Sequence, residues 1–489
     1  MTITYQAKPE SIETRLYING KFVESSDGRT FDVVSPTTGE KVAEVFEASE
    51  EDTNAAVAAA KAAFPAWSAL APAERGAYFK KLAPLFLESH NELAQLEALS
   101  MGRPVSMYFE SFHAAENLYH YSEAGFGNVG TSSLNTPGFV NMTLRQPFGV
   151  TAGIIPWNVP VAFLIIKSLP ALMAGNTVVI KSSEKAPLTS AFAATLIDKV
   201  GFPPGVFNII TGHGHISGSV LSHHMDVRVL SFTGSARTGR IIQEAAAKSN
   251  FKKVILEMGG KSPAIIFSDA DIEKAVEETK HSIQWNSGQV CMANSRIYVE
   301  ESIASAFIEL FKEKFSAVKI GDPLSPETTH GPQVDEQQFK NVQAYIEGAK
   351  KDGKMAIGQD FSESSKGLFI MPTIFLETPE DARGLKEEIF GPVVHINTFR
   401  DEAEVVKKAN DNEYGLYAAV YTKDLSRALR MVKNLEAGTV GVNCTSPTAA
   451  GDMPFGGYKG SGSGREGWTV SMLENYLEVK SVMIKVDDL

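Results

Sequence analysis

Three short stretches carry side chains able to do chemistry. The first is "SGQVCMANSR", Ser287 to Arg296, around Cys291; the chain has 489 residues and two cysteines, the other being Cys444 at the end of "GVNC". A thiol is a strong nucleophile when it is accessible and its pKa falls below a free value of about 8.5. Otherwise a lone cysteine is a small, partly buried apolar side chain. The second stretch is "LEMGGKSP", in which Glu257 closes the apolar run "KKVILE" ahead of Gly259 and Gly260. Its carboxylate either faces a cleft, where it suits a general base for water, or ends a strand in solvent. The third is "IIPWNVP", where Pro156 and Pro160 stiffen the backbone around Asn158. That amide either donates to a developing oxyanion or bonds its own turn.

Two further stretches suit a nucleotide. In "VVIKSSE", Lys181 and Glu184 lie just past an expected parallel strand, at the edge where open α/β sheets bind ligands. A carboxylate there can accept from both hydroxyls of a ribose. In "SFTGSARTG", Gly234 and Ser235 open a helix, and a helix N-terminus favours a pyrophosphate. The G-x-G-x-x-G spacing also occurs, at Gly462, Gly464 and Gly467, but no apolar strand precedes it and it is read as a decoy.

Such residues need a scaffold. From about residue 149, Val/Ile-rich runs such as "GVTAGIIP", "NTVVIKSS" and "VRVLSFTG" alternate with amphipathic windows such as "APLTSAFAATLIDKV" and "SARTGRIIQEAAAKS". The alternation restarts after about Lys261. This predicts two α/β domains with parallel sheets covered on both faces, preceded by a mostly helical first 125 residues. "PGFVNMTLRQPF" and the tail "YLEVKSVMIKV" alternate like strands without a partner in either sheet; pairing with another subunit and plain edge strands both remain open.

Composition narrows the partners. Apolar residues are 43% and charged residues 21%, as in an ordinary soluble globular protein. A net charge of -12 with no Lys/Arg tract disfavours nucleic acid and anionic membranes. Two cysteines cannot build a disulfide framework and point to a reducing compartment. The start, "MTITYQAKPE", lacks a leader pattern, and the ending "VDDL" matches neither C-terminal address. The apolar stretch "VPVAFLIIKSLPALMAG" is broken by Lys167, Pro170 and Gly175 and is too short for a bilayer. The expectation is a cytoplasmic protein with no nucleic-acid, membrane or metal partner.

With "PWNVP", "LEMGGKSP", "GQVC", "EEIFGPV" and "PFGGYKGSGSGRE" in this order, and Glu257 34 residues before Cys291, the chain resembles the aldehyde dehydrogenase superfamily over nearly its whole length. The resemblance implies a Rossmann-like NAD-binding domain (1–125 and 148–259), a second α/β catalytic domain (260–470) and a small β oligomerisation element (126–147 and 471–489) that would form a homodimer or homotetramer. It implies that Cys291 attacks an aldehyde, that Asn158 and the Cys291 N–H hold the oxyanion, that hydride passes to NAD, and that Glu257 activates water against the thioester. Lys167 and Glu466 resemble a proton relay behind Glu257. Ile154, Trp157, Lys181, Glu184, Gly234, Ser235, Glu388 and Phe390 resemble the cofactor contacts. Val159, Ile166, Ala115, Val290, Met292 and Phe455 take the substrate positions.

Two departures stand out. Ser182 follows the lysine of "VVIKSSE", where the family often has proline. Val159 and Ile166 stand where relatives acting on small or cationic aldehydes carry aromatics. They lie seven residues apart, two turns on one helix face, with Ala114 and Ala115 expected opposite. Loss of rings argues against a cation–π cage and for a bulky apolar substrate such as a long-chain, aryl or terpenoid aldehyde. Two other readings compete. A CoA-acylating dehydrogenase has no need of a water-activating Glu257. A catalytically silent structural or binding protein of the same fold would be expected to have lost Cys291, Asn158 or Glu257. Thioesterase or esterase chemistry at Cys291 is a side reaction only.

Overall fold

The computed structural model describes residues 11–358, 367–448, 450–467 and 470–487. The first ten residues and the last two, on which the leader and terminal-address readings partly rest, lie outside the described residues.

Two sheets dominate. The first has the order Lys21–Val23, Leu16–Ile18, Phe207–Thr211, Thr177–Ser182, Val150–Ile154, Val227–Gly234, Lys253–Met258 and Gly462–Ser463. Its five central strands are parallel, and three of them, Val150–Ile154, Thr177–Ser182 and Phe207–Thr211, are buried at every residue. That is why these runs read as continuous Val/Ile stretches: helices cover both faces. Strand order reverses between Val150–Ile154 and Val227–Gly234, which opens a crevice at their C-terminal ends.

The second sheet runs Lys354–Ile357, Thr373–Leu376, Val393–Phe399, Arg296–Glu300, Pro263–Ile266, Tyr417–Tyr421 and Thr439–Val442. Apart from the antiparallel edge Lys354–Ile357, it is parallel. The two stretches left without partners in the sequence pair with each other. Phe139–Pro147 and Leu477–Lys485 form an antiparallel ladder from Leu477↔Pro147 to Lys485↔Phe139, with Ser132–Ser133 on the far side of Phe139–Pro147. Leu144, Val479, Met483 and Ile484 on this small sheet are exposed. Among the described residues no helix is long and apolar enough to cross a membrane.

The chain departs from expectation near its start. The first 125 residues are helical only from Glu50 onward; before that come the short strands Leu16–Ile18, Lys21–Val23, Thr30–Val34 and Lys41–Phe46. At three to six residues each, with polar turns between them, they leave little periodicity to detect. The "decoy" glycines are also placed: Gly462 sits on a two-residue strand running antiparallel to Lys253–Met258 at the edge of the first sheet. By pairing, that strand belongs to the first sheet, although it lies within 260–470.

Candidate active site

Strand Lys253–Met258 delivers Glu257 one residue before its end, paired with Thr233 on one side and Gly462 on the other. The residue is 1% exposed. Among the described residues neither carboxyl oxygen meets an N–H or O–H donor; the donor beside it is the weak S–H of Cys291. Burial pushes Glu257 up to about 8, Glu466 adds to the rise, and Lys167 opposes it.

Cys291 sits in a loop of the second domain, between a helix that ends near Gln284 and the strand Arg296–Glu300. Three residues in left-handed conformation lead to it, Asn286 (φ 50°), Ser287 (φ 54°) and Gly288 (φ 77°). Non-glycine residues adopt this conformation at a cost and only when their surroundings hold them. Here the hold is explicit. Gln289 donates to Asn286 O at 3.1 Å and accepts from Val334 N at 2.9 Å, while Ser287 Oγ donates to Gly331 O at 2.8 Å. Glycines bring the motifs into contact: a Cβ on Gly260 would lie 2.4 Å from Cys291 O, and one on Gly259 would lie 2.1 Å from Glu388 Oε2. Glu388 accepts from Gly260 N at 2.9 Å.

Cys291 is partly exposed, but its thiol does not have the lowered pKa that a resting nucleophile would show. Burial, then the carboxyls of Glu257 and Glu388, push it well above the ordinary thiol range. The sulphur therefore rests protonated, with the Glu257 carboxyl next to it. Glu388 is itself pushed up to about 7 by burial.

Asn158, 5% exposed, donates Nδ2 to Gln289 O at 3.0 Å. An amide NH2 has two hydrogens, so one remains for another acceptor. The Asn158 carbonyl accepts from Asn286 Nδ2 at 3.2 Å and from the Arg103 guanidinium. Arg103 had no part in the sequence reading. It is 1% exposed, contacts Glu97 at 2.9 Å and Glu110 at 2.5 Å, and lies 5.0 Å from the centre of the Trp285 ring. Burial and Glu110 drive Glu97 well above the carboxylate range, against the pull of Arg103. Glu110 Oε2 accepts from Ala162 N at 2.7 Å, in the first turn of the helix Pro160–Met173. A buried carboxylate thus meets a helix N-terminus, where negative charge is favoured. A lone arginine in "MGRPVS" gives no periodic signal, which is why it escaped notice.

Lys167 projects from that helix and is 2% exposed. Its Nζ donates to Glu466 Oε1 at 2.8 Å and to Ser231 Oγ at 2.9 Å, and Ser231 Oγ donates to the same Glu466 oxygen at 2.8 Å. Two 2.7 Å backbone bonds between Phe455 and Glu466 hold the loop that carries the carboxylate. Lys261, also outside the sequence reading, is 1% exposed with no hydrogen-bond partner for its amine among the described residues, and burial pulls it down to about 7.

Several residues expected to contact a nucleotide lie at or near the ends of the strands that border the crevice. Ile154 pairs with Lys181 across the parallel strands, and Gly234 ends the neighbouring strand. Ser235 caps the 13-residue helix Ala236–Lys248 by accepting from Thr238 N at 3.3 Å. Buried Lys181 donates to Ser182 O at 2.9 Å and lies 3.8 Å from the half-exposed Glu184 carboxylate. Trp157 and Phe390 meet edge to face at 5.4 Å. A dinucleotide fits these groups. Lys181 keeps an N–H to spare, the buried Thr233 hydroxyl at the crevice end of its strand lacks a partner among the described residues, and the first amides of a long helix open nearby.

At the substrate positions the structure corrects one expectation. Val159 is the N-cap of the helix Pro160–Met173, with φ −147° and ψ 67°, and its carbonyl accepts from Phe163 N at 3.2 Å, so it opens the first turn seven residues before Ile166. Ala114 and Ala115 are 0% and 3% exposed in a core they share with Val161 and Ile165; the room their small side chains were expected to leave is filled. Val159, Ile166 and Phe455 are half-buried. Val159, Met292 and Phe109 pack against the cluster that contains Val290 and Trp285, and the rings of Phe109 and Trp285 meet at 5.5 Å. Aromatic surface is therefore present near Val159, supplied by residues outside the expected face. Among the described residues no cluster of His, Cys, Asp or Glu could hold a metal ion.

A family model described as "Aldehyde dehydrogenase family" matches residues 22–482. An aldehyde dehydrogenase of Alternaria alternata is 44% identical over 97% of this chain and 96% of its own. Aldehyde dehydrogenase [NAD(P)+] 2 of Saccharomyces cerevisiae is 42% identical over 96% and 94%. Among solved structures, a variant of the P. syringae indole-3-acetaldehyde dehydrogenase AldA, in complex with NAD+ and IAA, superposes with a TM-score of 0.94 at 38% identity over 97% of each chain. PnpE in complex with nicotinamide adenine dinucleotide superposes with the same score at 40% identity, covering 98% of this chain and 99% of that one.

Proposed function

The chain belongs to the aldehyde dehydrogenase family, and from that premise we propose that it oxidises a bulky apolar aldehyde to the carboxylic acid with NAD, through Cys291 and Glu257. The observation that carries this reading is the Cys291 thiol set against the buried, donor-free carboxyl of Glu257, beside an Asn158 amide with one hydrogen to spare.

NAD, when bound, supplies the nicotinamide that accepts a hydride. The chain's own groups do the rest. Cys291 gives its proton to Glu257 as sulphur attacks the carbonyl carbon, and the new alkoxide is held by the Asn158 amide and the Cys291 N–H. Collapse of the thiohemiacetal expels hydride and leaves a thioester on Sγ. Glu257 must shed its proton before it can act again, and Lys167 and Glu466 lie behind it for that purpose. Ionised Glu257 then draws a proton from water as the oxygen attacks the thioester and the C–S bond breaks. A base with pKa near 8 suits this work at physiological pH.

The cofactor belongs in the crevice of the first sheet, within 148–259, with Lys181 and Glu184 at the adenosine ribose, Ser235 and Trp157 near the pyrophosphate, and Glu388 and Phe390 at the nicotinamide ribose. For the substrate, Val159, Ile166, Val290, Met292 and Phe455 offer an apolar approach. The bicyclic aromatic aldehyde named for the P. syringae neighbour is of this class. Two free cysteines suit the cytoplasm, and the exposed apolar residues of the three-stranded sheet support a homodimer or homotetramer.

The test is Glu257→Gln with NAD and a panel of aliphatic, aryl, terpenoid-sized and amino aldehydes. At most one equivalent of NADH should form, more slowly than in wild type because the acceptor of the thiol proton is also lost, and an acyl adduct on Cys291 should persist, visible by mass spectrometry. Unchanged steady turnover would remove Glu257 as the base, and a wild-type preference for acetaldehyde or betaine aldehyde would remove the substrate class.

A further inference from the structure

Ser231 lies inside the parallel strand Val227–Gly234, 1% exposed, where the other buried side chains are mostly apolar. Burying a hydroxyl is costly unless its hydrogen bonds are made. This one makes two. Oγ donates to Glu466 Oε1 at 2.8 Å and accepts from Lys167 Nζ at 2.9 Å, with the buried Tyr476 hydroxyl beside it. A hydroxyl has one donor and two acceptor sites, so its one hydrogen is committed to Glu466. Lys167 and Glu466 are already in direct contact at 2.8 Å. The serine is therefore not needed to bridge a gap, but it gives the pair a second, protic path.

We propose that Ser231 is the proton-passing hydroxyl between Lys167 and Glu466 that resets Glu257 in each turnover. The role rests on the hydrolytic mechanism above, and Ser231 acts through its neighbours as a positioning residue. The steps balance. Lys167 ammonium gives a proton to Ser231 Oγ while the Ser231 O–H proton moves to Glu466 Oε1. This leaves a neutral amine, an intact hydroxyl and a neutral acid. Lys167, whose charge acts on Glu257 although the two share no direct hydrogen bond, then takes up through solvent the proton that Glu257 holds, which restores a carboxylate at Glu257 and an ammonium at Lys167. Glu466 releases its proton outward; it is 7% exposed and its second oxygen has no partner among the described residues.

The surroundings favour this direction. Glu257 feels both Lys167 and Glu466, with Glu388 farther along the site. Tyr121 faces Glu466 from the helix Glu110–Ala124, and Tyr476 faces it ahead of the strand Leu477–Lys485. Both phenols are raised by burial and stay protonated, so they add no competing charge. Neutralising Glu466 removes a charge that raises Glu257, which helps Glu257 to ionise again.

The test compares wild type, Ser231→Ala and Ser231→Thr, using NAD and benzaldehyde. Rapid mixing reads the NADH burst, and mass spectrometry follows decay of the acyl adduct on Cys291, in H2O and in D2O. For Ser231→Ala the expected result is an unchanged burst rate, adduct decay slower on the order of ten-fold, and a larger solvent isotope effect on decay. Ser231→Thr, which restores a hydroxyl, should return both decay rate and isotope effect toward wild type. A wild type that forms no NADH overturns the parent mechanism and this role with it. A wild type that turns over while Ser231→Ala matches its decay rate and isotope effect overturns the role of Ser231 alone. Equal losses in burst and decay that threonine does not repair also overturn it, because they indicate a packing defect.

Discussion

Deacylation should switch on with rising pH, and the position of the switch follows from the burial of Glu257. An exposed glutamate titrates near 4.3 and would be ionised throughout the neutral range. Glu257 is pushed up to about 8. The protonated acid cannot accept a proton from water, so activity is present above this pKa and is lost as pH falls through it. At pH 7 about one-tenth of the molecules hold the carboxylate, and at pH 9 about nine-tenths do, so the rate should rise roughly nine-fold between them. Cys291 also titrates high, so steady-state rates alone would mix two groups. Decay of a preformed thioester separates them, because an acylated sulphur has no proton to lose. Acylation also removes the S–H that favours ionised Glu257, which moves the limb upward and not downward. The assay is therefore single-turnover adduct decay from pH 6 to 10. A flat profile between pH 6 and 8, or a limb near 4 to 5, would show that Glu257 is solvated or is not the base.

Three other expectations are open to direct measurement. Cys291→Ala should abolish NADH formation while cofactor still binds by calorimetry, and Cys444→Ala should leave the rate within about two-fold of wild type. NAD should be preferred over NADP by about ten-fold or more in kcat/KM, because the half-exposed Glu184 carboxylate repels a 2′-phosphate while Lys181 at 3.8 Å softens the penalty; equal values would mean that Glu184 points elsewhere. Arg103→Met should cost about 3–5 kcal/mol of stability in denaturant titration, because Glu110 is left buried without its cation, whereas Arg103→Lys keeps the charge but loses the fork that reaches Asn158 O and should lower kcat more than it changes NAD affinity.

The legible part of this molecule is the part with repetition or with punctuation. Strands such as Val150–Ile154 and Thr177–Ser182 are buried on both faces, so their apolar runs are unbroken. Glu257 is followed by Gly259 and Gly260, glycines that the close approach of Glu388 and Cys291 demands. What escaped depends on distant pairing. Ser231 is one hydroxyl in an apolar strand, and its meaning comes from Glu466, 235 residues later. Arg103 acquires a role only through two glutamates and a carbonyl from a different segment. The expected helix face starts at the cap: Pro160 is the first helical residue and Val159, just before it, accepts the first intrahelical bond. The alanines were misjudged because a small side chain marks close helix packing as readily as open space.

The protonated thiol at rest bears on durability as well as rate. Peroxides and alkylating agents attack thiolates, and a cysteine whose proton is held by burial and by two neighbouring carboxyls offers them little. Reactivity is conferred when the thiol proton has somewhere to go, so the arrangement that delays the nucleophile also shields it between turnovers. Iodoacetamide should therefore label Cys291 slowly near neutral pH and faster as rising pH frees the sulphur.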